Sequence, residues 1–256
     1  MAAPAPSPLA GRRVLVTGAS SGIGATVSTM LALRGARVVG TGRTFSGLGL
    51  ALEVTLIRDL TEPGAPQDIV ELAAAALGGL DVVVSNAGAG WLGPYESMTP
   101  VEVDAMIDLN LRAPMQLARA AAPHLLASGG QLVLVGSIAG LVGVADEVAY
   151  GTAKAGLRGL ADGLRAEWAG RVTVTLISPG PVETAFFSRR NRPYARAWPK
   201  PVPVAPVARS IVRAVEERRS DVVVPAWLSL AARLNGGFPE MYRALARVAE
   251  GSGGRR

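Results

Sequence analysis

"RRVLVTGASSGIG", residues 12–24, runs from two arginines through a short apolar segment into a turn with glycines at 18, 22 and 24. Val14–Val16 read as a buried strand, and the pattern that opens at Gly22 reads as a helix ending near Gly35. Glycine at these positions permits a tight turn and close approach of backbone to a ligand. The first N–H groups of a helix have no intrahelical acceptor. The spacing G-x-x-x-G-x-G directly after a first strand therefore reads as a phosphate-binding turn. A nucleoside-triphosphate loop is disfavoured, because no Gly-Lys-Ser/Thr follows.

Six more short apolar runs follow: "ARVVGTG" (36–42), "VTLIRDL" (54–60), "DVVVSNAG" (81–88), "QLVLVGS" (131–137), "RVTVTLISPG" (171–180) and "DVVVP" (221–225). Helical patterns at 66–79, 100–127, 148–169 and 205–219 separate most of them, the last with Pro206 placed for its first turn. The runs do not alternate polar with apolar, as expected of strands covered on both faces. Right-handed crossovers then give an α/β fold, a doubly wound parallel seven-stranded sheet of Rossmann-like type. Ligands of such sheets bind at the carboxyl ends of the strands, near the point where strand order reverses. Residues 1–10 read as a disordered leader, 11–225 as one domain with a long loop at 185–204, and 226–256 as an amphipathic helical extension of it.

Of the 256 residues, 49% are hydrophobic and 18% charged, enough to bury a large core. There is no cysteine, which excludes disulfides and thiolate metal sites and makes a reducing, cytoplasmic setting the expectation. The single histidine, His124, rules out histidine-cluster metal sites and disfavours a Ser-His-Asp triad. Residues 120–145 carry no formal charge, but Pro123, Gln131 and Gly129-Gly130 break the run, so a helix end, a turn and a buried strand explain it better than a membrane span. Charge is uneven: residues 1–184 hold 12 Lys/Arg against 15 Asp/Glu, and residues 185–256 hold 14 against 5.

The second strand ends at Gly42, followed by Arg43. A site that prefers NAD places an acid here for the ribose 2′-hydroxyl, whereas an arginine pairs with a 2′-phosphate, so NADP(H) is expected over NAD(H). Asp59, with Leu60 beside it, ends the third strand; it is read either as an adenine contact or as a turn-capping carboxylate. In "AYGTAKAG", residues 149–156, Tyr150 and Lys154 lie one helical turn apart on the same face. Reduction of a ketone needs a proton donor beside the carbonyl oxygen. A phenol has an unperturbed pKa of about 10, and a neighbouring cation lowers it toward the working pH.

"TGASSGIG" (17–24), "NAG" (86–88), Asn110 in "LNLRAP", Ser137 in "GSIAG", "YGTAK" (150–154) and "PGPVET" (179–184) occur in that order. Together they closely resemble the short-chain dehydrogenase/reductase family over about residues 11–224. The resemblance implies hydride transfer between NADP(H) and a carbonyl or secondary alcohol. Tyr150 would be the general acid/base. Lys154 would hold the nicotinamide ribose, Ser137 the substrate oxygen, and Asn110 a water that links Lys154 to solvent. Gly18, Ser20, Ser21, Gly22, Ile23 and Gly24 would cradle the pyrophosphate. Asn86, Ala87 and Gly88 would line the adenosine ribose, and Pro179, Gly180, Val182 and Thr184 the nicotinamide end. The resemblance also implies a homodimer or homotetramer built through the helices at 100–127 and 148–169. Two departures stand out. Residues 43–54, "RTFSGLGLALEV", suggest a truncated helix, and Ser21 stands where many NADP-preferring relatives carry a basic residue.

Two aromatic loops are expected over the site, bringing Trp91, Leu92 and Tyr95 from one and Phe186 and Phe187 from the other, walls that suit a lipophilic substrate. The loop at 185–204 is expected to be mobile until ligand binds. The extension after 225 is read three ways: as a cover for the pocket, a subunit contact, or a peripheral membrane contact. A cofactor-sensing regulator or scaffold on the same fold is the alternative function. A further one is membrane-surface or nucleic-acid association through the basic last quarter, although nucleic acid is not the expected partner.

Overall fold

The computed structural model describes residues 7–45, 52–190, 192, 194, 196 and 198–251, with side chains as far as 245. Its seven strands are β1 (Arg13–Thr17), β2 (Arg37–Gly42), β3 (Val54–Ile57), β4 (Val82–Ser85), β5 (Gln131–Val135), β6 (Thr173–Pro179) and β7 (Asp221–Val224). All pair in parallel in the order β3-β2-β1-β4-β5-β6-β7. The order reverses between β1 and β4, so the crevice between their carboxyl ends is where a ligand is expected.

Each strand sends alternate residues to opposite faces. Leu15, Val83, Leu132, Leu134 and Leu176 pack under α2 (Ala65–Leu77), α4 (Ala113–Ser128) and α5 (Val148–Glu167). Val14, Val16, Val84, Val133 and Ile177 pack under α1 (Gly22–Ala32) and α7 (Val204–Glu216). This double burial is why the strands read as unbroken apolar runs. The chain enters the fold earlier than the sequence suggests. Leu9 is 2% exposed and packs with the core on the α1 side, while Gly11 N–H donates to Gly35 C=O. The leader expected over 1–10 is therefore folded from residue 7, because an apolar side chain two residues beyond it finds the core. The truncated helix expected within 43–54 falls largely on residues 46–51, outside those described.

The helix read over 100–127 is divided. α3 (Pro100–Ile107) passes through a π-helical turn, Asp108–Arg112, into α4. After β6 come a short helix, α6 (Phe186–Arg189), and then α7; after β7 come α8 (Leu228–Gly237) and α9 (Pro239–Gly251). No helix among the described residues is long and apolar enough to cross a membrane.

At the amino end of the sheet Asp81 fastens β4 to β1. It accepts from Arg13 Nε (3.0 Å), Arg13 Nη2 (2.8 Å) and Arg13 N–H (2.9 Å). The Arg13 guanidinium holds its carboxyl below the usual carboxylate range, against the opposing effect of burial. Asp81→Ala leaves a half-buried guanidinium without its partner and should cost about 2–3 kcal/mol of unfolding free energy. A folded-state pKa below the unfolded one contributes stability above the ordinary carboxylate range and loses it as pH falls. Urea denaturation should therefore show the deficit in full above about pH 5 and see it shrink toward pH 2.

Candidate active site

The turn after β1 is held against the end of β4 by the absence of side chains. A Cβ on Gly18 would stand 2.9 Å from Ala87 Cα, and one on Gly24 would collide with the Gly18 carbonyl oxygen. Gly22 has φ +55°, a conformation that favours glycine. Thr17, fully buried, accepts at Oγ1 from the N–H groups of Asn86 (2.9 Å) and Ala87 (3.0 Å), and Asn86 Nδ2 donates to Thr17 C=O (2.9 Å). Asn86 is thus engaged in joining the ends of β1 and β4 while it lines the crevice. Ser21, the N-cap of α1, makes no side-chain capping bond.

A cavity of ≈ 1700 Å³ runs along this crevice. At one end are Gly42, Arg43, Arg58, Asp59 and Leu60; in the middle lie Gly18, Ser20, Ser21, Gly22, Ile23, Asn86, Ala87 and Gly88. At the other end are Ser137, Tyr150, Lys154, Pro179, Gly180, Val182 and Thr184. Gly24 stands behind the turn, where it packs helix on strand. The length, the glycine-lined middle and the helix start fit an extended dinucleotide.

At the adenosine end a Cβ on Gly42 would come 3.0 Å from Ser20 Oγ, so an acidic side chain there would be crowded. Asp59 Oδ1 accepts from Thr61 N–H (2.9 Å) and Thr61 Oγ1 (2.7 Å), the turn-capping role. These bonds hold its carboxyl below the usual range, Thr61 N–H foremost, with a smaller pull from Arg43. Arg58, not singled out from sequence, brings a second guanidinium to this end.

Asn110 sits in the π-helical turn and is fully buried. A π-helical turn set between two α-helices is frequent at functional sites. Its Nδ2 donates to the carbonyls of Ala89 (3.0 Å) and Met106 (3.0 Å), while its buried Oδ1 has no protein partner. A Cβ on Gly88 would lie 2.8 Å from that Oδ1 and 3.4 Å from Lys154 Nζ, so glycine keeps open the space between them.

α5 lies close on the turn that follows β5. A Cβ on Gly140 would stand 2.5 Å from Lys154 carbonyl carbon, and one on Gly151 would stand 3.0 Å from Ala139 O. Ser137 Oγ accepts from Ala139 N–H (3.1 Å), and Ser137 lines the cavity together with Tyr150. Lys154 is 5% exposed; its Nζ donates to Val135 C=O (3.0 Å) and stands 5.8 Å from the centroid of the Tyr150 ring. The charge balance differs from the expectation of an acidified phenol. Burial pushes Tyr150 up to about 12; the neighbouring Ser137 opposes this, Glu147 adds to it and Arg190 acts against it. Burial also brings Lys154 down to about 8. The ammonium is directed at the Val135 carbonyl, and burial dominates the state of the phenol.

The substrate side is built mainly by the chain after β6. Tyr150, Phe186, Phe187 and Tyr194 form a succession of ring contacts with centroids 5.6, 5.7 and 4.9 Å apart. Arg190, buried, lies 4.7 Å over the Phe187 ring and donates to Glu147 Oε1 at 3.0 Å, which fastens this loop to the start of α5. Trp198, Trp227, Leu228, Leu230, Leu234 and Leu245 also line the cavity, so α8 and α9 contribute to its wall. Asn235 Nδ2 donates to Leu141 C=O (3.0 Å), and Leu228 packs on Gly180, which anchors α8.

Trp91, Leu92 and Tyr95 do not line this cavity. Trp91 Nε1 donates to Glu102 Oε1 (3.0 Å), and Glu102 also completes a capping box with Thr99 at the start of α3. That draws the first aromatic loop outward, and Tyr95 lies 52% exposed.

The family described as short chain dehydrogenase matches residues 12–195. The chain is 34% identical over 247 residues to a 1-deoxy-11-beta-hydroxypentalenate dehydrogenase of Streptomyces avermitilis, covering 91% of each. It is 32% identical over 182 residues to the 3-oxoacyl-[acyl-carrier-protein] reductase FabG of Escherichia coli, covering 68% of this chain and 75% of that one. A short chain dehydrogenase from Burkholderia cenocepacia, crystallised in complex with NADP, superposes with TM-score 0.73 at 29% identity, over 85% of this chain and 98% of that one. The chain therefore belongs to the short-chain dehydrogenase/reductase family and is an oxidoreductase that uses a nicotinamide cofactor.

Proposed function

We propose that the protein interconverts a lipophilic ketone and its secondary alcohol with NADP(H), Tyr150 exchanging the proton with the substrate oxygen. The observation that carries this reading is that Ser137, Tyr150 and the buried Lys154 line one end of a single cavity, where the glycine-lined crevice meets the apolar wall. A bound nicotinamide supplies the hydride and, once oxidised, a positive charge beside the phenol.

Tyr150, protonated across the working range, donates to the carbonyl oxygen that Ser137 orients. The phenolate left behind is stabilised by Lys154 in its ammonium form, whose charge is weakly screened in so buried a place. Asn110 presents its open Oδ1 toward the same space, which suits a water that returns the proton. Arg43 and Arg58, with no acid at Gly42, favour a 2′-phosphate over a bare ribose hydroxyl. The aromatic and aliphatic wall favours a large apolar substrate skeleton, in keeping with the relative named for a hydroxypentalenate.

Tyr150→Phe should lower kcat for ketone reduction with NADPH by about 10²–10⁴ while leaving the NADPH Kd within twofold. Equal turnover by the variant would overturn the role of Tyr150. The pH profile offers a second check. Lys154 carries its charge below about 8 and loses it above, so kcat/KM for reduction should be level at low pH and fall through about pH 8. Lys154→Met should give a low profile without that limb. On the substrate side, Trp227→Ala should raise KM for a bulky cyclic ketone about tenfold and leave that for acetone unchanged.

A further inference from the structure

Arg189 ends α6, in the segment that builds the apolar wall, yet its guanidinium turns away from that wall. Nη1 donates to Ser21 Oγ at 3.1 Å, at the N-cap of α1. Five residues earlier, Thr184 packs against Gly22, where a Cβ would lie 3.2 Å from its methyl carbon. The segment after β6 thus touches the glycine turn twice, through a methyl group and through a cation. Its neighbour Arg190 is engaged with Glu147, whereas Arg189 forms no ion pair among the described residues. Among the described residues the guanidinium donates to a neutral hydroxyl, on a helix start with no acidic residue in its first turn. A guanidinium held beside free N–H groups in a cavity wall is suited to an anion.

We propose that Arg189 is a cofactor-binding residue that donates to the pyrophosphate of the dinucleotide, so that the substrate loop and the cofactor hold one another. The proposal rests on the dinucleotide reading of the crevice. The two serines of the turn decide which phosphate Arg189 meets. Ser20 faces the end of β2, 3.0 Å from the Cβ position of Gly42, and so belongs to the adenosine end with Arg43 and Arg58. Ser21 meets α6, and Gly22 beside it meets Thr184, on the side toward Tyr150. Arg189 therefore reaches the middle of the crevice from the nicotinamide side, where the bridging phosphates lie, and leaves a 2′-phosphate to Arg43. The arginine is carried by the segment that builds the apolar wall, so a bound dinucleotide and that wall would hold one another.

Fluorescence titration of the full chain with NADPH and with NADH, for wild type, Arg189→Ala, Arg189→Lys and Arg43→Ala, tests this without any substrate. Arg189→Ala should weaken both dinucleotides by the same factor, about tenfold. Arg189→Lys should recover part of the loss. Arg43→Ala should weaken NADPH and leave NADH nearly unchanged. Arg189 is exposed, so its variants should melt with the wild type. Unchanged affinity for both dinucleotides in Arg189→Ala would overturn the proposal, as would a loss confined to NADPH, which would place the guanidinium on the 2′-phosphate instead. A wild type that binds neither dinucleotide would sink the cofactor reading itself, and the role of Arg189 with it. That outcome is distinct from a wild type that binds and a variant that binds equally.

Discussion

Desolvation is the constraint around which this site is arranged. Gly140 and Gly151 let α5 settle directly on the turn after β5, with no room for a side chain between Gly140 and the Lys154 backbone. That contact sets Ser137 and Tyr150 along one cavity wall and buries the Lys154 ammonium under the end of β5. The same burial that aligns the groups raises the phenol and lowers the amine. The pair is therefore held ready and neutral-leaning, and a positive charge arriving beside the phenol acts on it with little screening.

Around this pair the fold contributes by what it leaves out. Side chains are missing at Gly18 and Gly24, where the glycine turn presses on the end of β4, at Gly22, where it meets Thr184, and at Gly88, where Asn110 and Lys154 share a space. Each of these glycines has a neighbour that a Cβ would displace. The substrate side contributes by addition: a chain of aromatic rings, a buried Arg190–Glu147 pair, and α8 anchored through Leu228 and Asn235. The segment after β6 thus touches the glycine turn through Thr184 and Arg189 and also builds the apolar wall.

The sheet, its parallel order and the crevice were legible in the sequence because unbroken apolar runs and a glycine turn have direct physical causes. Tyr150 and Lys154 were legible from helical spacing, and Arg43 from its place at a strand end. Other features have no local signature. The π-helical turn at Asn110 adds a single residue to an otherwise ordinary helical pattern. Trp91 looked like a pocket aromatic, but Glu102, eleven residues on, captures its indole. The amphipathic pattern of the last helices marked an apolar face without saying what it covers. Arg190 and Glu147 lie 43 residues apart and meet only in the fold. The sign of the Tyr150 shift depends on burial that spacing does not reveal.

The most direct test is a spectroscopic titration of the phenolate absorbance of the protein, read as the difference between wild type and Tyr150→Phe, alone and with saturating NADP⁺. The account predicts that Tyr150 stays protonated to about pH 12 in the free protein and ionises at lower pH once the oxidised cofactor is bound. A phenol already ionising below about pH 9 without cofactor, or one whose titration NADP⁺ leaves unmoved, would contradict it.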